Sequence, residues 1–401
     1  MPMPLDGILV LELNRVAPGS LCTMMLGDMG ADVIRLETPA AAGAAKSFTA
    51  RDDEPWTLSE FANRNKRSLA LNLKDPRGRQ VLHALAARAD VVVEGFRPNV
   101  TVRLGADYAT LSGINPRLVY CSLSGFGPDG PYRDRAGHDL NYLALAGVLG
   151  QLGAAGVAPP IPLNLIADYA GASLHGVIGI LLALLARAQT GRGQHVDVSY
   201  LDTAFALLMA VPGVREALIG GAPVRRGENV FAGQHPYYAV YPTLDGRWLS
   251  VGCMEPWLWD NFCDAVGRPD LKPARMRRED FSSPPSAQQC AAKRELEALM
   301  RTRTLEDWLA RLAAADVCIG EVNDLAGAFA DPQLRHRGML VPRDDDRVPG
   351  AMQPGIAIKL SETPGRIRSA PPRTGADTHA VLRDLGYGDA DIAALRADGV
   401  V

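Results

Sequence analysis

Apolar runs of strand length alternate with helical periodicities through the first half of the chain. Ile8 to Leu13 is a short apolar run, Ser20 to Met29 has helical character, and Ala31 to Leu36 reads as a second strand, so the chain opens on a βαβ unit. Asp75 followed by Pro76 is a cap and a first-turn proline, which predicts a helix to about Ala87, and Val91-Val92-Val93 is an all-apolar strand. A further strand is predicted at Leu118 to Leu123. Leu174, Ile178, Leu181, Leu182 and Leu185 recur at helical spacing until Thr190-Gly191-Arg192-Gly193, after which Gln194 to Ser199 alternates like a strand. Continuously apolar strands separated by helices imply a parallel sheet covered on both faces, an α/β doubly wound, Rossmann-like domain. The first strand leads into Asn14-Arg15-Val16-Ala17-Pro18-Gly19 rather than G-x-G-x-x-G, which disfavours a nicotinamide or flavin enzyme.

The pattern changes after Pro212 to Gly233, a Gly-, Pro- and Arg-rich linker. Tyr237 to Tyr241 and Trp248 to Val251 flank Asp245-Gly246, a hairpin signal. The expected division is a large α/β domain with linker over 1–224, a smaller α+β domain over 225–330, and a C-terminal segment, 331–401. That last segment contains Pro364, Pro371 and Pro372 and a closing helix at Thr378 to Leu385.

Composition narrows the class. The 401 residues are 47% hydrophobic and 22% charged, with a formal charge of −3, an ordinary globular balance that argues against a nucleic-acid-coating surface. Cys22, Cys121, Cys253, Cys263, Cys290 and Cys318 are scattered without a C-x-x-C pair, so they read as reduced thiols with no metal framework. Met1 to Pro4 runs straight towards a strand without a signal core, and the apolar helix around Ile178 to Ala186 reads as too short to span a bilayer. The expectation is a cytoplasmic protein without a membrane partner.

The candidate chemistry lies in Ala136-Gly137-His138-Asp139-Leu140-Asn141-Tyr142 and Asn164-Leu165-Ile166-Ala167-Asp168-Tyr169. Each places an ionisable residue directly before an apolar run that reads as a helix, beside unpaired N–H groups. An imidazole and a carboxylate so placed are suited to moving protons on opposite faces of one carbon, and both are also plain helix caps on spacing alone. Backbone N–H groups at the start of the helix after Asp168 are candidate oxyanion donors. Of the other histidines, His175, seven residues after Asp168 and on a similar helix face, is the strongest rival.

Three segments, AGHDLNYLALAGVLG, PLNLIADYAG and GCMEP around Glu255, carry a resemblance to the α-methylacyl-CoA racemases, a branch of the family III CoA-transferases. It extends from the opening strand to GADTHAVLRDLGY near the C-terminus. The resemblance implies racemisation of 2-methylacyl-CoA thioesters by His138 and Asp168, with no separate cofactor because CoA is part of the substrate. Glu255 would pair with the catalytic His, and Asp139 and Tyr142 would line the pocket. Asn63-Arg64-Asn65-Lys66-Arg67-Ser68 matches the family's basic loop, with Asn63, Arg64 and Lys66 facing CoA. Gly95-Phe96-Arg97-Pro98 matches a second ligand-facing segment through Arg97, and Arg35 would lie near the adenine. The resemblance further implies that the tail returns to the large domain and that two copies interlock as a homodimer. Gln234 to Tyr238 and Val317 to Val322 depart from the pattern, which leaves acyl-chain selection open. Two other readings stand beside this one: a CoA-transferase with Asp168 as nucleophile, and a noncatalytic acyl-CoA binder.

Overall fold

The computed structural model describes residues 2–14, 17–39 and 60–401; Arg15 and Val16 of the segment after the first strand lie outside the described residues. The first half of the chain builds β1 (Leu9–Glu12), α1 (Ala17–Asp28), β2 (Asp32–Glu37), β3 (Lys66–Ala70), α2 (Pro76–Ala86), β4 (Val91–Glu94), α3 (Val100–Leu104), α4 (Tyr108–Ile114), β5 (Val119–Ser124) and α5 (Asp139–Leu145). A π-helical segment, Leu165–Leu174, continues into α6 (His175–Thr190), followed by β6 (His195–Ser199) and α7 (Tyr200–Leu207). The six strands form one sheet in the order β3-β2-β1-β4-β5-β6, every pair parallel. The α/β doubly wound expectation therefore holds. The strand order reverses between β1 and β4, and the crevice outside the carboxyl ends of such strands is where open α/β sheets take ligands.

Local chemistry explains the element ends. The Asp75 side chain accepts from the Arg77 N–H with Pro76 behind it, which starts α2. Gly191, at φ 74°, ends α6 by turning its N–H onto the Arg187 carbonyl.

Compactness divides the chain into two units: Met1–Tyr142 with Leu163–Thr203 and Pro332–Val401, and Leu143–Pro162 with Ala204–Asp331. The sequence boundary at 225 thus falls inside the second unit, which starts at Ala204 and also takes up Leu143–Pro162. In the first unit, the apolar core around Leu11, Ile34, Val92 and Tyr120 is completed by Val381, Leu382 and Ile392 from the C-terminal segment. That segment carries α13 (Pro332–His336), the hairpin β10 (Leu340–Pro342) and β11 (Met352–Pro354), α14 (Thr378–Asp384) and α15 (Asp389–Ala397). It also covers the edge strand β3, whose Ser68 and Ala70 N–H groups donate to Asp377 Oδ2 at 2.8 Å and Thr378 Oγ1 at 3.0 Å.

In the second unit, β7 (Tyr238–Pro242), β8 (Trp248–Gly252) and β9 (Ile319–Glu321) form an antiparallel sheet, with Asp245-Gly246 in the β7–β8 turn. Helices α8 (Val214–Leu218), α9 (Pro256–Ala265), α10 (Ala287–Met300), α11 (Leu305–Leu312) and α12 (Leu325–Ala330) accompany it. Trp259, Trp308, Phe262, Tyr237 and Tyr241 fill its core.

Two sequence expectations change. The apolar helix judged too short to span a bilayer runs continuously over Leu165–Thr190, 26 residues at mean hydropathy 1.8, long and apolar enough by length and composition. The π-helical segment supplies the extra length. Its continuation α6 lies against β5, β6 and α1, burying Gly176, Val177, Ile180 and Ala183, while Ile178, Leu182 and Leu185 stay exposed.

The second change concerns Asn63 to Ser68, read as a basic loop. Lys66 begins a strand and its side chain is 0% exposed. It donates to Glu12 Oε2 at 2.7 Å, the Ser20 carbonyl at 2.8 Å and Asn63 Oδ1 at 2.9 Å. Arg64 is equally buried, paired with Asp28 at 2.7 Å and donating to the Pro354 carbonyl. An ammonium taken out of water is held only by such partners. Breaking the pair leaves an unpaired buried charge, so Lys66→Met is expected to cost about 3–5 kcal/mol, and Glu12→Gln/Lys66→Met to recover a large part of it. Denaturant unfolding of the two variants checks this, and a single variant as stable as wild type would contradict it.

Candidate active site

His138 stands immediately before α5 and is exposed. Its carbonyl accepts from the Asn141 and Tyr142 N–H groups at 2.8 and 3.2 Å, and its N–H donates to Asn141 Oδ1 at 3.0 Å. The reciprocal bonds fix the backbone and leave the imidazole outside the helix, as the cap reading of the sequence anticipated.

Asp168 departs from that reading. The helix starts at Leu165, so Asp168 is its fourth residue rather than the residue before it. The cause is Asp139. Its buried carboxylate accepts from the N–H groups of both Ala167 and Asp168, at 2.8 and 3.0 Å through Oδ2, satisfying donors that a helix start otherwise leaves unpaired. These two N–H groups are therefore occupied by Asp139. Asp139 Oδ1 is buried without a hydrogen-bond partner among the described residues. With the helix begun early, Asn164 lies four residues before Asp168 and donates Nδ2–H to its Oδ2 at 3.2 Å. Sequence reasoning missed Asn164, because the four-residue spacing has meaning only once Asn164 stands directly before the helix that carries Asp168.

Tyr142 closes the other side. It is 6% exposed, its hydroxyl donates to the Gly137 carbonyl at 2.7 Å, and its ring meets Phe126 and Tyr200 edge-on at 5.1 and 5.3 Å. A Cβ on Gly125 would lie 2.4 Å from the Tyr142 hydroxyl oxygen and one on Gly137 2.7 Å from the ring, so both positions require glycine. The ring thereby ties the end of β5 to the residue preceding His138.

Charge couples these groups. Burial raises the Asp168 carboxyl above its ordinary value and the Asp139 carboxylate adds to this, while Asn164 and His138 oppose it. Burial first, and then the neighbouring carboxylates of Asp168 and Asp139, push the Tyr142 phenol up to about 12 against the opposing charge of Arg97. His138, Asp139, Tyr142, Asp168 and Arg97 are thus brought together in the first unit. Arg97 is exposed just beyond β4, at the carboxyl edge of the sheet. Arg35 is half-buried and 3.5 Å from Glu37. Asn63, Arg64 and Lys66 are at most 3–4% exposed, and the buried charges of Arg64 and Lys66 are answered by Asp28 and Glu12. Glu255 belongs to the second unit, where it is exposed at the start of α9 without a side-chain capping bond. The rival His175 donates its Nδ1–H to the Ala170 carbonyl, 2.9 Å away in its own helix.

A doubly wound sheet with an imidazole and a desolvated carboxylate outside its carboxyl edge describes an enzyme site for acid–base or acyl chemistry. The family model of CoA-transferase family III matches residues 5–378, and the chain belongs to that family. It is 32% identical over 400 residues to the alpha-methylacyl-CoA racemase of Homo sapiens, covering 100% of this chain and 98% of that protein. It is 35% identical over 423 residues to the succinyl-CoA–L-malate CoA-transferase beta subunit of Chloroflexus aurantiacus, again covering 100% and 98%. A solved CAIB/BAIF family protein from Brucella suis superposes with a TM-score of 0.79 at 31% identity, covering 96% of this chain and 100% of that one.

Burial sets a direct expectation. Followed by carbon-detected NMR of labelled aspartate, the Asp168 carboxyl should titrate above the ordinary 3.8, and Asn164→Ala should move it higher by removing the opposing hydrogen bond. A midpoint at or below 3.8 in the wild type would contradict the desolvated site.

Proposed function

We propose that this enzyme racemises 2-methylacyl-CoA thioesters by moving the α-proton through His138 and Asp168. The observation that carries the reading is the shared anchor: Asp139 follows His138 directly in the chain and accepts the Asp168 N–H at 3.0 Å. One residue, Asp139, thus joins the backbones of both proton-transfer groups. In the forward step, the C–H bond at the α-carbon breaks, its proton passes to one group, and its electron pair moves onto the thioester carbonyl as an enolate. The other group then returns a proton to the opposite face. A carboxyl raised by desolvation is a better base once ionised than one in water, which suits Asp168 to the weakly acidic α-proton. Arg97, exposed beyond β4, is the residue we assign to a CoA phosphate. The role of Glu255 in orienting the imidazole rests on the resemblance alone.

A CoA-transferase is the second reading, favoured by relatives of that activity at similar identity. It uses Asp168 as a nucleophile and gives His138 no task.

Racemisation needs both transfers, so His138→Ala and Asp168→Ala should each lose inversion by at least about 100-fold. Exchange should separate them: in deuterated water, each variant retains deuterium uptake with retention for the one enantiomer whose proton faces its surviving group. The measurement is deuterium incorporation into each pure enantiomer, followed by chiral separation. Wild-type inversion in either variant would eliminate the assignment.

A further inference from the structure

The segment that carries Asp168 is wound as a π-helix for ten residues, Leu165–Leu174, whereas such winding is rare and ordinarily a single turn. Something must hold it against the ordinary α-winding, and the side chains five residues apart identify what does. The Ser173 hydroxyl lies 3.3 Å from the Asp168 carbonyl, and His175 Nδ1 lies 2.9 Å from the Ala170 carbonyl, each reaching the fifth preceding residue. In an α-helix those two carbonyls would instead accept from Ala172 and Leu174 N–H groups.

Ser173 has one proton to give. Its shorter bond goes to the Pro18 carbonyl, at 2.7 Å, in the first turn of α1, so the Asp168 contact is the weaker branch of a shared donation. That first turn is itself fixed from below. Glu12 accepts from the Ser20 and Thr23 hydroxyls at 2.8 and 2.6 Å, and Lys66 donates to the Ser20 carbonyl. The same segment also makes a close approach at Gly171. A Cβ on Gly171 would lie 2.7 Å from Thr203 Oγ1 and 3.1 Å from the Ile166 carbonyl, so the segment lies in close approach to α7 only because this residue is glycine.

We propose that Ser173 and His175 are positioning residues that keep the π-winding open and thereby aim the Asp168 carboxylate. Neither reaches the reacting atoms. Ser173 binds the segment to α1, and His175 occupies the carbonyl that a rewound helix would need. The inference rests on the reading that Asp168 does the chemistry, whether as a proton-transfer group or as a nucleophile. Rewinding would change the turn and rise of the segment around Asp168 and so shift its side chain from the face that His138 serves, while Arg97 stays where it is. Chemistry should therefore suffer more than binding.

The test compares Ser173→Ala, His175→Leu and His175→Asn in the full-length protein. Asn places an N–H where His175 Nδ1 stands, so it should restore what Leu removes. Ser173→Ala is expected to lower kcat by about 100-fold with KM within about twofold, the cost of a small misplacement of a reacting group. His175→Leu should lower kcat by about tenfold, with His175→Asn near wild type. His175 is only partly buried, so its variants remain informative if Ser173→Ala folds poorly. Unchanged kcat in His175→Leu, or a loss confined to KM, would overturn the proposal. Wild-type protein that neither exchanges an α-proton nor transfers CoA would remove the functional reading instead. The inference is then decided by a crystal structure of His175→Leu: α-winding across 165–175 supports it and unchanged π-winding overturns it.

Discussion

The carboxylate of Asp139, set against the N–H groups of Ala167 and Asp168, is the contact on which the rest of the site depends. A helix start leaves its first donors unpaired, and a buried anion is the strongest partner they can have short of a ligand. Because Asp139 also opens α5, one residue after His138, its position transmits the geometry of one helix start to the other. The backbones that carry the imidazole and the second carboxylate are then held by short bonds rather than by long side chains whose freedom would have to be suppressed.

Behind that contact the first unit is built to resist displacement. Lys66, Glu12, Ser20 and Thr23 form a buried polar cluster whose members each find partners, which is the condition under which such clusters rigidify a fold. The cluster secures the first turn of α1, and Pro18 in that turn receives the Ser173 hydroxyl. On the other side, the Tyr142 ring fills the space left by Gly125 and Gly137 and holds the residue before His138. Thus both chemical groups are backed by buried structure, although His138 itself is exposed to solvent.

Much of this was legible in the sequence where a local rule operates. The strands β1, β2, β4 and β5 announced themselves as strand-length runs and β6 by its alternation, the Asp75-Pro76 cap marked α2, and Asp245-Gly246 marked the hairpin turn. The strand β3 did not, because Lys66 and Arg67 look like a solvated loop until Glu12, 54 residues earlier, is known to neutralise Lys66. The helix start at Leu165 was hidden for the same reason: its cap, Asp139, lies 28 residues from Ala167. The π-winding was unreadable because periodicity over ten residues cannot separate it from α-winding when most positions are apolar. His138 and Asp168 were found through their motifs, whereas Asn164 and Ser173 matter only through contacts that the fold creates.

The central claim is that Asp168 moves a proton and forms no bond to the acyl group. Its most direct test is intact-peptide mass spectrometry of the wild-type enzyme, quenched with hydroxylamine or borohydride during turnover of a chiral 2-methylacyl-CoA in deuterated water. The expected result is deuterium at the α-carbon of the recovered thioester and an Asp168 peptide of unaltered mass. A hydroxamate or a reduced alcohol at Asp168, formed only when acyl-CoA is present, would contradict proton transfer and establish acyl transfer through that carboxylate.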